Sequence, residues 1–171
     1  MNNPKLKNIK LLLLDVDGVL TSGLIIYSGT DIETKMFNVK DGFGIRLLQS
    51  AGIEVGIVTG RTSPALLTRC RDLGITMIYD GIKVKGEIFD IILSENHLQA
   101  HEVAFVGDDL PDISLMKKTG VSIAVADAHD AVKNHADIIT SRNGGEGAVR
   151  EVCEMILDTK NLLEKIIENC L

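Results

Sequence analysis

The segment Leu11–Thr21 reads L-L-L-L-D-V-D-G-V-L-T, and its two halves make opposite demands. Four consecutive leucines suit a strand buried on both faces, as in a parallel sheet covered by helices. The run then meets Asp15 and Asp17, and a carboxylate taken from water is costly unless it is paired, bound to a cation or placed at the end of an element. A buried strand that stops at two acids separated by one residue therefore predicts a site at the strand's carboxyl end.

Further along, similar runs recur: E-V-G-I-V at 54–58, T-M-I-Y at 76–79, V-A-F-V at 103–106, V-S-I-A-V at 121–125 and D-I-I-T at 137–140. Between them lie stretches with apolar residues at helical spacing that stop at Gly, such as F-G-I-R-L-L-Q-S-A-G and P-A-L-L-T-R-C-R-D-L-G. Strand–helix alternation predicts an α/β fold, with a three-layer α/β/α Rossmann-like parallel sheet. One segment breaks the rhythm: residues 23–38, G-L-I-I-Y-S-G-T-D-I-E-T-K-M-F-N, read as a β-hairpin turning at S-G-T-D, where a crossover helix is expected. A lone hairpin is marginal in water, so its apolar side chains need the domain or another subunit to pack against. Residues 147–171 read as one long helical tail after N-G-G-E-G. No linker divides the chain, so residues 1–171 are read as a single domain.

The bulk numbers narrow the function. A formal net charge of −6, with no basic tract and no Trp, argues against nucleic-acid or membrane-surface binding. Three widely spaced cysteines, Cys70, Cys153 and Cys170, form no CxxC pair and read as reduced thiols. No stretch suits a signal peptide or a membrane helix, so the expected compartment is the cytoplasm.

In open α/β sheets ligands gather beyond the carboxyl ends of the strands. The residues there are Asp15 and Asp17, then Thr59-Gly60-Arg61, then Lys83 and Lys85, then Asp108 and Asp109. Taken singly, each has an ordinary reading: Thr59 as a helix N-cap, either lysine as a solvated charge, Asp108-Asp109 as the start of a turn. Together they place carboxylates, a hydroxyl and a cation on one rim. Clustered oxygen ligands suit Mg²⁺, and the set suits phosphoryl transfer, in which an aspartate can serve as the nucleophile.

D-V-D-G-V-L-T, T-G-R, the lysine near K-G-E-I-F and G-D-D-L-P-D, in that order, resemble the four motifs of the haloacid dehalogenase superfamily. The short length, the hairpin after the first motif, V-A-V-A-D-A-H and G-G-E-G-A-V-R-E-V-C resemble its capless branch acting on phosphorylated keto-sugar acids. The resemblance implies Asp15 as nucleophile and Asp17 as general acid/base. It also implies Thr59 on the phosphoryl group and Lys85, with Lys83 as its rival, neutralising charge. Mg²⁺ would be held by Asp15, the main-chain carbonyl of Asp17 and Asp108, with Asp109 and Asp112 behind them. The expected substrate is an eight-carbon keto-sugar acid phosphate of lipopolysaccharide precursor synthesis, with a nine-carbon acid as the alternative. Its contacts would be Asn38, Val39, Lys40, Asp41, Gly42, Arg46, Arg61 and Arg69, along with Asp17 and Lys85. Glu146 stands where some relatives carry Arg. Capless members assemble as homotetramers through their hairpins. A receiver-like signalling domain also joins acids, Thr and Lys on a parallel sheet, but D-x-D first and G-D-D last is the hydrolase order. A non-catalytic regulatory or structural subunit is disfavoured because every expected catalytic residue is present.

Overall fold

A computed structural model describes residues 3–28 and 32–168. Strand β1 (Leu11–Leu14) is the sequence's leucine run, and all four side chains are fully buried. Each such leucine contributes about 1.5–3 kcal/mol by leaving water. A strand with no exposed side chain on either face needs cover on both, which is what a three-layer arrangement supplies.

The hairpin follows as β2 (Ile26–Ser28) and β3 (Ile32–Thr34), antiparallel in the register Ile26↔Thr34 and Tyr27↔Glu33, in a two-stranded sheet of its own. Its expected turn residues Gly29, Thr30 and Asp31 lie outside the described residues. Then come α1 (Val39–Ser50), β4 (Glu54–Val58), α2 (Pro64–Leu73), β5 (Met77–Tyr79), α3 (Phe89–Glu95), β6 (Val103–Gly107) and α4 (Ile113–Met116). The chain ends with β7 (Val121–Ala124), α5 (Asp130–Lys133), β8 (Ile138–Ile139), α6 (Ala148–Thr159) and α7 (Leu163–Glu168).

The six-stranded sheet has the order β5-β4-β1-β6-β7-β8 and is parallel throughout. All six runs read from the sequence are its strands. Strand β1 pairs with β4 on one side and β6 on the other, Leu11 facing both Glu54 and Val103. The strand order reverses there, and the crevice above such a reversal is where ligands bind in open α/β sheets.

Local chemistry sets the helix ends. Asn38 caps α1 by accepting the Lys40 N–H at 2.8 Å. Pro64 opens α2 and left-handed Gly74 closes it. Helices α1 and α6 meet closely at Gly44, where a Cβ would lie 2.9 Å from Arg150 Cδ and 3.0 Å from Arg150 Cα. The tail departs from the expected single helix: α6 stops, Asn161 takes a left-handed φ of 57°, and α7 restarts as a separate short helix. Residues 169–171, with Cys170, lie outside the described residues; Cys70 and Cys153 are buried free thiols. Among the described residues, no helix is long and apolar enough to cross a membrane.

Candidate active site

Four strand ends meet in a cavity of about 410 Å³ lined by Asp15, Asp17, Thr59, Arg61, Lys83, Lys85, Asp108, Asp109 and Asp112. The main chain leaves β1 with the Asp15 N–H still donating to Val106 O (3.0 Å). It then coils back, so that Val19, Leu20 and Thr21 all donate to Val16 O. Gly18 makes that turn at φ +95°, and a Cβ there would strike Asp108 Oδ2 at 2.0 Å. The turn at Gly18 is thus doubly constrained, by the left-handed backbone and by the room Asp108 needs.

Lys85 is the centre of charge. Its ammonium, almost fully buried, lies 2.6 Å from Asp15 Oδ1 and 2.5 Å from Asp112 Oδ1. Lys83 is exposed at the cavity wall, so the two rival lysines are separated by burial. Residues two apart would share one side of an extended segment, but Lys85–Glu87 is a 3-10 turn. Asp112 is buried and accepts from the Asp108 N–H at 2.8 Å and the Asp109 N–H at 3.2 Å through its second oxygen. It therefore fixes Lys85 and the Gly107–Asp109 turn together. Asp109 is exposed and accepts from the Leu110 N–H at 2.8 Å.

Burial pushes the Asp15 carboxyl up to about 6, Asp112 adding and Lys85 opposing. Burial, with the charges of Asp15 and Asp112, pushes Asp108 up to about 8. For Lys85 burial works against the charge, but Asp15 and Asp112 outweigh it and keep the ammonium protonated above the ordinary lysine range. Carboxyl oxygens of Asp15, Asp108 and Asp112 lie within 4.8 Å of one another. Asp112 is committed to Lys85 and two backbone N–H groups, which leaves Asp15 and Asp108 as the open donors. Asp108 Oδ1 is buried without a hydrogen-bond partner. An all-oxygen cluster with an orphaned oxygen fits a hard divalent cation.

Thr59 is buried with its backbone N–H on Tyr79 O. It caps no helix: α2 opens five residues later after Ser63, so the ordinary reading of Thr59 fails. Asp17 stands apart from the carboxylate cluster. Its Oδ1 is held by Lys35 from the end of the hairpin, and Arg61 Nε lies 3.6 Å from its Oδ2. Lys35 also pairs with Glu33 at 2.7 Å, and Glu33 pairs with Arg61. Sequence reading missed Glu33 and Lys35; their spacing of two in the extended segment of β3 and the residue after it, which puts both on one face, was the signal.

The expected sugar-acid contacts are not all brought to this cavity. Arg46 and Arg69, with Val39 and Gly42, line a separate cavity of about 230 Å³. Arg46 donates to Asp72 O (2.6 Å) and Arg69 to Asn38 O (3.2 Å), with the Arg69 guanidinium over Phe37. Lys40 lines a third, of about 600 Å³, with Arg142 and Arg150. Asp41 is buried and accepts the Arg150 N–H at 2.8 Å near the start of α6, a structural cap. Asn38 reaches Gly145 O at 3.1 Å. The Gly144–Gly145 loop is clamped in turn, Gly144 N–H to Asp127 (2.9 Å) and Gly145 N–H to Val19 O (2.9 Å). Glu146 is exposed and accepts from Asn143.

A parallel sheet reversing at β1, with an acid pair at that strand's end and a lysine bridging two buried aspartates, defines a haloacid dehalogenase-like hydrolase. The family model of that description matches residues 83–152. The chain is 47% identical over 161 residues to the 3-deoxy-D-manno-octulosonate 8-phosphate phosphatase of Escherichia coli K12, covering 94% of this chain and 86% of that protein. The fold superposes with a TM-score of 0.95 on the corresponding phosphatase of Moraxella catarrhalis, a complex with magnesium, phosphate and 3-deoxy-D-manno-octulosonate (KDO), at 38% identity over 98% of this chain and 96% of that one. It matches the cobalt-bound enzyme of Haemophilus influenzae at a TM-score of 0.90 and 40% identity, over 93% of each chain. The chain belongs to the 3-deoxy-D-manno-octulosonate 8-phosphate phosphatase family.

Proposed function

We propose that this protein hydrolyses the phosphate monoester of 3-deoxy-D-manno-octulosonate 8-phosphate to KDO and phosphate, in the cytoplasm, for lipopolysaccharide precursors. The observation that carries the reading is the buried Lys85 bridging Asp15 and Asp112 at the end of β1, beside the orphaned oxygen of Asp108.

The Asp15 carboxylate attacks phosphorus, and the bond from phosphorus to the sugar oxygen breaks as Asp17 gives that oxygen a proton. Asp17 then takes a proton from a water that attacks the aspartyl-phosphate, releasing phosphate and restoring Asp15. Thr59 hydrogen-bonds the transferring group. Lys85, held by Asp112, aims Asp15 and neutralises the phosphoryl oxygens. Bound by Asp15, the main-chain carbonyl of Asp17 and Asp108, Mg²⁺ supplies the positive charge that lets a phosphate dianion sit among carboxylates.

Arg61 lines the same cavity as Asp15 and would contact the sugar acid there. The separate placement of Arg46, Arg69, Val39 and Gly42 in one cavity and of Lys40 in another fits contacts made to a neighbouring subunit's substrate. Exposed Leu24, Tyr27 and Met36 on and beside the hairpin suit burial between subunits, and a homotetramer serves both. Single-domain organisation over residues 1–171 is part of the same proposal.

The test is phosphate release with Mg²⁺ from eight- and nine-carbon keto-sugar-acid phosphates beside p-nitrophenyl phosphate. The eight-carbon ester is expected to show the highest kcat/KM. A nine-carbon ester turned over faster would move the substrate, and equal rates for all three would remove the sugar-acid specificity.

A further inference from the structure

Four charged side chains form an alternating ring: Asp17, Lys35, Glu33, Arg61 and back to Asp17. Two members come from strand ends and two from the hairpin. The Lys35 side chain is only 3% exposed, while those of Asp17, Glu33 and Arg61 are 21%, 14% and 41% exposed. Burying an ammonium is costly, and a buried ion pair adds little net stability over an apolar packing of the same shape. Fastening the hairpin alone would be served by the Glu33–Arg61 pair or by more apolar contact. What the lysine adds is orientation. It takes Asp17 Oδ1, while Oδ2 is buried at the cavity wall with no hydrogen bond, Arg61 Nε standing 3.6 Å away.

We propose that Lys35 is the positioning residue of Asp17: its ammonium holds Oδ1 and thereby turns Oδ2, which carries no hydrogen bond, toward the cavity as the oxygen that passes the proton to the departing sugar oxygen. Glu33 positions Lys35 in turn, so the hairpin is part of the catalytic apparatus of its own chain. The inference rests on the reading of Asp17 as the acid. General acids act only within hydrogen-bond reach of the atom they protonate, and small misplacements are expensive.

The test uses the full-length protein with Lys35→Met and Lys35→Arg, and compares kcat/KM for the eight-carbon sugar phosphate with that for p-nitrophenyl phosphate. That parameter reports events up to phosphoryl transfer, and the aryl leaving group departs without a proton. A positioning role predicts that Lys35→Met loses about tenfold to a hundredfold more with the sugar ester than with the aryl ester. Lys35→Arg, which keeps a donor to Oδ1, should recover part of that difference, and thermal unfolding should show both variants folded. Equal losses with both esters, or no loss, would overturn the proposal. Asp17→Asn separates the two ideas. A leaving-group dependence in Asp17→Asn without one in Lys35→Met refutes the role of Lys35 alone. Its absence from both variants refutes the acid role of Asp17 as well.

Discussion

Replacing Lys85 by Met removes the only cation that touches both Asp15 and Asp112 among the described residues. Methionine fills a similar volume, so the loss is electrostatic rather than a cavity. Both carboxylates are nearly or fully buried, and removing one partner of a buried pair costs about 3–5 kcal/mol. Total stability for a domain is about 5–15 kcal/mol, so the variant keeps a fold but with a much narrower margin. At about 2–4 °C per kcal/mol for a chain of this size, the metal-free protein should melt about 6–20 °C lower. Adding Mg²⁺ should return part of that loss, because a cation beside Asp15 replaces some of the missing charge. Adding Asp112→Asn to Lys85→Met should also recover stability, since it neutralises one stranded carboxylate while an amide oxygen can still accept the Asp108 N–H. The assay is thermal unfolding of the wild type, the single variant and the double variant, each with and without Mg²⁺. A Lys85→Met midpoint equal to wild type without metal, or a double variant that falls further still, would refute the reasoning.

Three other outcomes follow from the geometry. Gly144→Ala should lower both stability and phosphate release, because its Cβ would lie 1.7 Å from Gly18 O and push on the turn carrying Asp17; wild-type values for both would show that this contact yields freely. Asp15 and Asp108 hold protons in the folded chain up to about 6 and about 8, against an ordinary 3.8. The folded state then binds more protons than the unfolded one across that window, so metal-free stability should fall as pH rises from about 4 to about 8. Mg²⁺ takes the place of those protons, so it should raise the melting temperature more at about pH 8 than at about pH 5.5, and an equal rise at both would refute the coupling. Light scattering should give the mass of four chains, and a monomer at working concentration would refute the assembly through hairpins.

The sheet was legible because Val, Ile and Leu runs buried on both faces leave little choice of structure, as the four leucines of β1 illustrate. The cavity positions of Asp15, Thr59 and Asp108 were legible because each directly follows such a strand, and that of Asp17 because it lies two residues past Asp15. Lys85 could not be separated from Lys83 by alternation, since a 3-10 turn and differential burial decide between them. The pair Glu33 and Lys35 escaped because the hairpin was read for its apolar side chains, while its charged face turns inward to Asp17 and Arg61. The segment Asn38–Gly42 is placed at the sugar acid by the family resemblance alone. Asp41 instead serves α6, and Gly42 makes room for Arg69, whose Nη2 lies 2.1 Å from where a Cβ would stand. The tail's break at Asn161 left no mark in the apolar spacing, because a single left-handed residue interrupts a helix without altering composition.

The role assigned to Asp15, at the end of the leucine strand, is attack on phosphorus. Its most direct test is phosphate release from the eight-carbon sugar-acid phosphate by Asp15→Asn, measured with Mg²⁺ and alongside thermal unfolding. The amide keeps the shape of the carboxylate and removes its nucleophilic charge, so a folded protein with no phosphate release above background is predicted. Turnover retained by a folded Asp15→Asn protein would contradict the account.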